Sequence, residues 1–317
     1  MMSLARFPLD GESVLAQPWH AMDWVDGSSP ASTDEWARKM GVDWERLSCK
    51  VSSRRKPQAC IDYVKKSPRP NINKYFLYIS VDDPSTLQDD ALEYSQASLD
   101  TPQIEEVGID DFFSSYYSWY KDRSIKNPAE FLGKFIDNLK SENPNLKFGI
   151  TLYEDELDPV AYTYINDAHL PPDIKKKFDY IHLFLHYRMN GPRFAQYVDM
   201  AQAMFPNAKI IAGVYAYDRI DYFPCSQDDY SKRSCKQQEE FDLFNQALSL
   251  EMQLLKEGKV VGLELYPGYF GAEDKLDYGP RKNQLTCKTK RLMQCVLNTQ
   301  AMRDRILAQR NKYLNNP

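Results

Sequence analysis

Glycine is scarce in this chain, with 13 in 317 residues. No G-x-G-x-x-G and no P-loop pattern occurs, which argues against a doubly wound nucleotide-binding sheet. No internal repeat or low-complexity segment shows itself either. Long apolar runs are also lacking. The longest, such as KIIAGVYAY (209–217), fall far short of the ~20 residues a helix needs to span a bilayer. Basic clusters are absent: 40 Lys and Arg are scattered against 45 Asp and Glu, for a net charge of −5, so no nucleic-acid partner is expected. There is no CxxC, HxH or HExxH, so neither a metal nor another cofactor is expected. The opening MMSLARFPLDG lacks the apolar stretch of a secretory leader.

Six cysteines are present, and they fall into three close pairs: Cys49 with Cys60, Cys225 with Cys235, and Cys287 with Cys295. Local pairing points to three short disulfide loops, each stabilising by roughly 2–3 kcal/mol on a chain-entropy view. The alternative is six reduced thiols, and six cysteines allow about 15 pairings. Disulfides would imply export to a secreted or periplasmic location, with any leader already removed.

From about residue 72 a rhythm sets in. Strand-like YFLYISV (75–81), EEVGIDDFF (105–113), KFGITLY (147–153), DYIHLFLHY (179–187), KIIAGVYAY (209–217) and VVGLELY (260–266) each lead to a helical stretch. The helical stretches carry apolar residues at 3–4 spacing, as in Phe131, Phe135, Ile136 and Leu139. Six consecutive βα units predict a parallel α/β architecture, and charged and aromatic residues at nearly every strand's C-terminal end favour a (β/α)8 TIM-type barrel. Residues 1–72 are expected to contribute to or decorate the barrel, with strands near Ala21–Val25 and Leu47–Val51. Residues 73–317 form the barrel body.

Period-two reading of the strands selects the candidate site. In VGIDDFF, an apolar strand runs into Asp110 and Asp111. In VVGLELYPG, Gly262, Glu264 and Tyr266 share the inward face, while Val261, Leu263 and Leu265 form an aliphatic face toward helices. An inward carboxylate among apolar neighbours is costly unless paired or functional. EDELD adds Glu154 and Glu156 past a strand end, and DYIHLFLHYR puts His182, His186 and Arg188 on one face. KIIAGVYAYDR adds Tyr215, Tyr217 and Asp218. Asp110, Asp111, Glu154 and Glu264 are the catalytic candidates. Glu156, His186, Arg188, Tyr153, Tyr187, Tyr215, Tyr217, Asp218, Tyr266 and Trp119 are the substrate-binding candidates. Carboxylates among aromatic rings suit glycosidic bond cleavage. One acid protonates the leaving oxygen, a second carboxylate attacks or steadies positive charge, and ring faces receive the C–H faces of a sugar.

With IDDFF and LELYPG at strand ends, the chain resembles a TIM-barrel glycoside hydrolase. Its tandem Asp is similar to the acidic pair of retaining hexosaminidases that use the substrate's own acetamido group. That resemblance implies that one of Asp110 and Asp111 polarises the acetamide and the other is the general acid. DxxDxDxE of the chitinase family is absent, as is an Asn-Glu pair at a strand end. The partner implied is a carbohydrate.

Plainer readings stand beside these. Asp110 and Asp111 can cap a loop or pair with Arg123 or Lys121. Glu264 can be a buried ion-pair partner of Arg188 or Arg219. Glu154 and Glu156 can belong to a solvated loop, and His182 can be a satisfied core histidine. At the level of function, the alternatives are a non-catalytic carbohydrate-binding barrel and a metal-dependent hydrolase or lyase using His186, Asp110 and Glu264.

Overall fold

The computed structural model describes residues 19–23, 44–47, 50–51, 54–55, 57–66, 72–79, 84–121, 125–157, 170–215, 237–266 and 292–315. In chain order these form β1 (Trp19–Asp23), β2 (Trp44–Leu47), β3 (Lys50–Val51), β4 (Arg54–Arg55), α1 (Pro57–Lys66), β5 (Lys74–Tyr78), α2 (Leu87–Asp100), β6 (Ile104–Ile109), α3 (Phe112–Lys121) and α4 (Pro128–Leu139). They continue as β7 (Lys147–Tyr153), a 3₁₀ turn (Glu154–Leu157), α5 (Pro172–Lys175), β8 (Tyr180–Phe184), a 3₁₀ turn (Arg188–Arg193), α6 (Phe194–Met204), β9 (Lys209–Tyr215), α7 (Gln237–Lys256), β10 (Gly262–Tyr266) and α8 (Leu292–Asn315).

Eight strands hydrogen-bond in a closed ring of order β1-β10-β9-β8-β7-β6-β5-β2, while β3 and β4 pair separately. Every pairing in the ring is parallel, including the closure, where His20 lies opposite Glu264 on one side and Trp44 on the other. Helices follow seven of the eight strands among the described residues. The link from β1 to β2 lies outside them. The fold is thus α/β and TIM-like, and a complete set of eight strand–helix units is not described.

The alternation of β7 shows how the core divides. Phe148, Ile150 and Leu152 are fully buried among helices. Phe148 packs on Phe135 of α4 at 5.6 Å and on Phe178 at 5.1 Å. Gly149, Thr151 and Tyr153 face the interior instead, as period two requires. Helix α4 starts where its sequence says it should: Pro128 occupies the first turn, and the Asn127 side chain accepts from the Glu130 amide.

Three expectations need correction. Phe112 and Phe113 do not end a strand; they open α3, whose buried face is Phe112, Phe113, Tyr116 and Trp119. Val261 precedes β10 and is exposed, so the aliphatic outer face is Leu263 and Leu265, both fully buried. Strand β8 stops at Phe184 rather than Tyr187, because the Glu154 carboxylate takes the amides of His186 and Tyr187.

Cys60 is buried and disulfide-bonded. The other five cysteines have no described side chain, so the expected pairs lie outside the described residues. No described helix is long and apolar enough to cross a membrane.

Candidate active site

The interior of the barrel is charged. Glu106 of β6, His182 of β8, Glu264 of β10 and Arg46 of β2 are at most 2% exposed. His182 Nε2 lies 2.9 Å from Glu106 Oε1, and its Nδ1 lies 2.6 Å from Glu264 Oε2. The other oxygen of Glu264 lies 2.7 Å from Arg46 Nε. The Phe76 ring stacks on His182 at 5.1 Å and carries the Arg46 guanidinium at 4.3 Å. Burial alone would lower the pKa of both cations, but the carboxylates outweigh it and raise both. Burial raises Glu106, and His182 partly offsets this. Burying so many charges is tolerable only because they are mutually paired.

Arg46 Nη1 also donates to Tyr78 Oη at 2.7 Å and to Thr151 Oγ1 at 2.8 Å. This brings the network up to the C-terminal ends of β5 and β7. There the mouth begins. Asp110 is half-buried and Asp111 is exposed. Asp111 has φ of +46°, a left-handed conformation that a residue other than glycine adopts at a cost, and such strain concentrates at functional sites. Its backbone oxygen receives the Ser115 amide and the Ser114 hydroxyl, so it also starts α3.

The Tyr153 hydroxyl donates to Asp111 Oδ1 at 2.6 Å, and its ring stacks on His186 at 3.6 Å and 14°. Burial pushes the Tyr153 phenol well up, and Tyr215, Asp110 and Asp111 push the same way. Glu156 is buried just behind, accepting the Tyr153 amide at 3.0 Å. Burial holds its pKa well above the carboxylate range. The Tyr153 amide opposes this, and the charges of Asp155, Asp111 and Asp110 add to it. A raised carboxyl pKa is the direction that general-acid chemistry requires.

Asp110, Asp111, Tyr153, Glu156, His186 and Tyr215 therefore gather at the ends of β6 to β9. The remaining predicted residues are placed differently. Glu154 is fully buried, and its two oxygens accept the His186 amide at 2.6 Å, the Tyr187 amide at 2.8 Å and Asn190 Nδ2 at 3.1 Å. It clamps the end of β8. With Asp155 and His186 it could surround an ion, but its lone pairs already serve three donors. His186 Nδ1 faces Asp155 at 3.1 Å. Glu264 points inward, below the mouth, and its cationic partners are Arg46 and His182 rather than Arg188.

Arg188 is buried. It pairs with Glu240 and donates to the Tyr215 carbonyl, pinning β9 and α7 together. Tyr187 is buried, and Trp119 lies on Phe131 beneath α3, so neither presents a ring to a ligand. Tyr217 and Asp218 lie outside the described residues, and of Tyr266 only the backbone is described.

The sequence reading missed Arg46, Tyr78, Glu106 and Thr151. For Glu106 a signal existed: in EEVGID, Glu106, Gly108 and Asp110 are spaced by two. Arg46 sits in a four-residue strand with no rhythm around it.

No protein-family model matches the sequence, and no curated protein does. Among solved structures, the chain is similar to a GH113 β-1,4-mannanase at 9% identity, over 92% of this chain and 97% of that one, with a TM-score of 0.54. It also aligns with the active domain 2 of a thermostable chitinase from Pyrococcus furiosus at 12% identity, over 92% and 95% of the two chains, with a TM-score of 0.49. A third match is Bacteroides uniformis β-glucuronidase, at 12% identity and a TM-score of 0.45. There 74% of this chain is aligned, and it spans only 27% of the other's length. At these identities the likeness concerns the fold, and it is the mannanase match that carries it.

Proposed function

We propose that this protein is a (β/α)8 glycoside hydrolase acting on an oligosaccharide or glycan. The single observation behind this reading is the cluster at the ends of β6 and β7. The half-buried Asp110 and exposed Asp111 stand at the strand ends near a buried Glu156 whose pKa burial raises, with Tyr153 bonded to both Asp111 and Glu156. In such a cluster one carboxyl can protonate a leaving oxygen while another remains ionised and faces developing positive charge. The tandem pair further supports substrates with a 2-acetamido group, whose carbonyl one Asp would orient toward the anomeric carbon while the other serves as acid. The stacked Tyr153 and His186 rings offer a flat surface beside the pair. Export is part of the proposal, supported by disulfide-bonded Cys60 and two further close cysteine pairs.

The test is a reducing-end assay over a panel of oligosaccharides with and without acetamido sugars. D110N, D111N and Glu156→Gln are each expected to lower kcat/KM by about 100-fold or more. Full activity in all three variants would sink the assignment. A second reading, a carbohydrate-binding barrel without catalysis, draws on Glu154 and Glu264 being fully engaged by protein groups. Glycan binding that persists through long incubation without cleavage would favour it.

A further inference from the structure

The main chain of Asp111 is fixed at the start of α3: its φ is +46°, and its carbonyl accepts from the Ser115 amide and the Ser114 hydroxyl. None of these contacts sets the plane of its exposed carboxylate. The Tyr153 hydroxyl reaches that group, 2.6 Å from Oδ1. Water competes for an exposed oxygen, so such a bond orients the carboxylate only if the donor is itself held.

Tyr153 is held. It lies opposite Phe184 at the end of β7, and its amide donates to Glu156 at 3.0 Å. Its ring lies on that of His186 at 3.6 Å, within 14° of parallel. His186 is seated in turn. Its amide donates to Glu154 at 2.6 Å, and its Nδ1 lies 3.1 Å from Asp155 Oδ1. The three carboxylates of the EDEL turn thus each grip one part of the stacked pair, and all three are buried. Burying adjacent carboxylates is costly, and what they build together is two rings locked face to face.

We propose that Tyr153 is a positioning residue for Asp111, and that His186, seated by Asp155, holds the Tyr153 ring so that its hydroxyl meets that carboxylate in one orientation. The catalytic meaning of this role rests on the proposed glycosidic reaction, in which Asp111 must present a defined oxygen to the sugar. The hydrogen bond and the stacking do not depend on it.

The experiment is a 13C NMR titration of the full chain labelled at Asp Cγ and Tyr Cζ, with resonances identified through D110N, D111N and Y153F. A hydrogen bond donated to a carboxylate favours its ionised form, so Y153F should raise the Asp111 midpoint by about one pH unit, and by more than that of Asp110. H186A should raise it too, whereas H186F, which keeps a flat ring without the imidazole, should return it toward wild type. D111G removes the acceptor at a left-handed position that glycine tolerates; it should move the Tyr153 Cζ resonance, and it stands in should Y153F not fold. An Asp111 midpoint unmoved by Y153F, or moved no further than that of Asp110, overturns the positioning role, as does a Tyr153 resonance indifferent to D111G. Equal midpoints in H186A and H186F overturn the part given to His186. If the wild type cleaves a glycan, Y153F should lower kcat about tenfold with KM nearly unchanged; a change in KM alone counts against positioning. If the wild type cleaves nothing, the reaction fails while the titration still decides the role of Tyr153.

Discussion

His182 has both ring nitrogens committed to carboxylates, at 2.9 and 2.6 Å. A neutral imidazole has one donor nitrogen, so satisfying both partners takes a second proton. The raised pKa of His182 follows from that arrangement. A histidine whose folded pKa exceeds its unfolded value, about 6.5, contributes stability that is complete below that value. The contribution is lost as pH rises through the folded pKa. Replacing His182 by Asn leaves Glu106 and Glu264 facing one another with one cation fewer, and should cost about 3–5 kcal/mol. Urea unfolding at pH 6 checks this, and the deficit should shrink toward pH 9. A variant as stable as wild type at pH 6 would show that the imidazole is not carrying charge there.

At the scale of elements, the strands are thin where the network needs room. Gly108 of β6 and Gly149 of β7 lie opposite each other. A Cβ on Gly149 would come within 1.6 Å of Glu106 Oε1, and one on Gly108 within 2.2 Å of the Gly149 carbonyl oxygen. Gly149→Ala should therefore push Glu106 off His182 and destabilise by about 2 kcal/mol or more. Chemical denaturation of the variant measures it, and a loss below half that would mean the carboxylate has space to retreat. Much of this level was legible in sequence. KFGITLY is β7 residue for residue, and Glu264 was placed on an inward face, because strict alternation survives wherever one side meets helices. What stayed hidden were contacts between distant strands. Nothing local to Arg46 says that it meets Glu264, and nothing local to Arg188 says that it turns toward Glu240. Trp119 was read as a ligand platform because aromatic content alone does not distinguish a helix's buried face from a rim.

At the scale of the whole molecule, protons bound in the folded state set the response to pH. Burial raises the carboxyls of Glu106, Glu154, Glu156 and Glu251, the last to about 8, with Arg188 partly opposing. Each binds its proton more tightly folded than unfolded. The folded state is thus favoured most below the unfolded carboxyl value, about 4.3, and loses that advantage as pH climbs, for Glu251 up to about 8. The melting temperature should fall between pH 5 and pH 9. Glu251 lies on α7, buried, with Oε2 unbonded, so Glu251→Gln should flatten that fall while changing little at pH 5. Thermal scans across the range decide it; equal slopes in the two proteins would show that Glu251 ionises with the solvent.

The ring that joins Arg46 of β2 to Glu264 of β10 has a kinetic side as well. The two residues come from near opposite ends of the chain and meet only when the barrel shuts. Contacts of such long sequence separation form late, after the entropy of closing the loop has been met. Their loss is felt in how fast the native state opens more than in how fast it assembles. The ion pair beneath the mouth is in that sense a latch: it adds little to the rate at which the barrel is built and much to the time it stays closed.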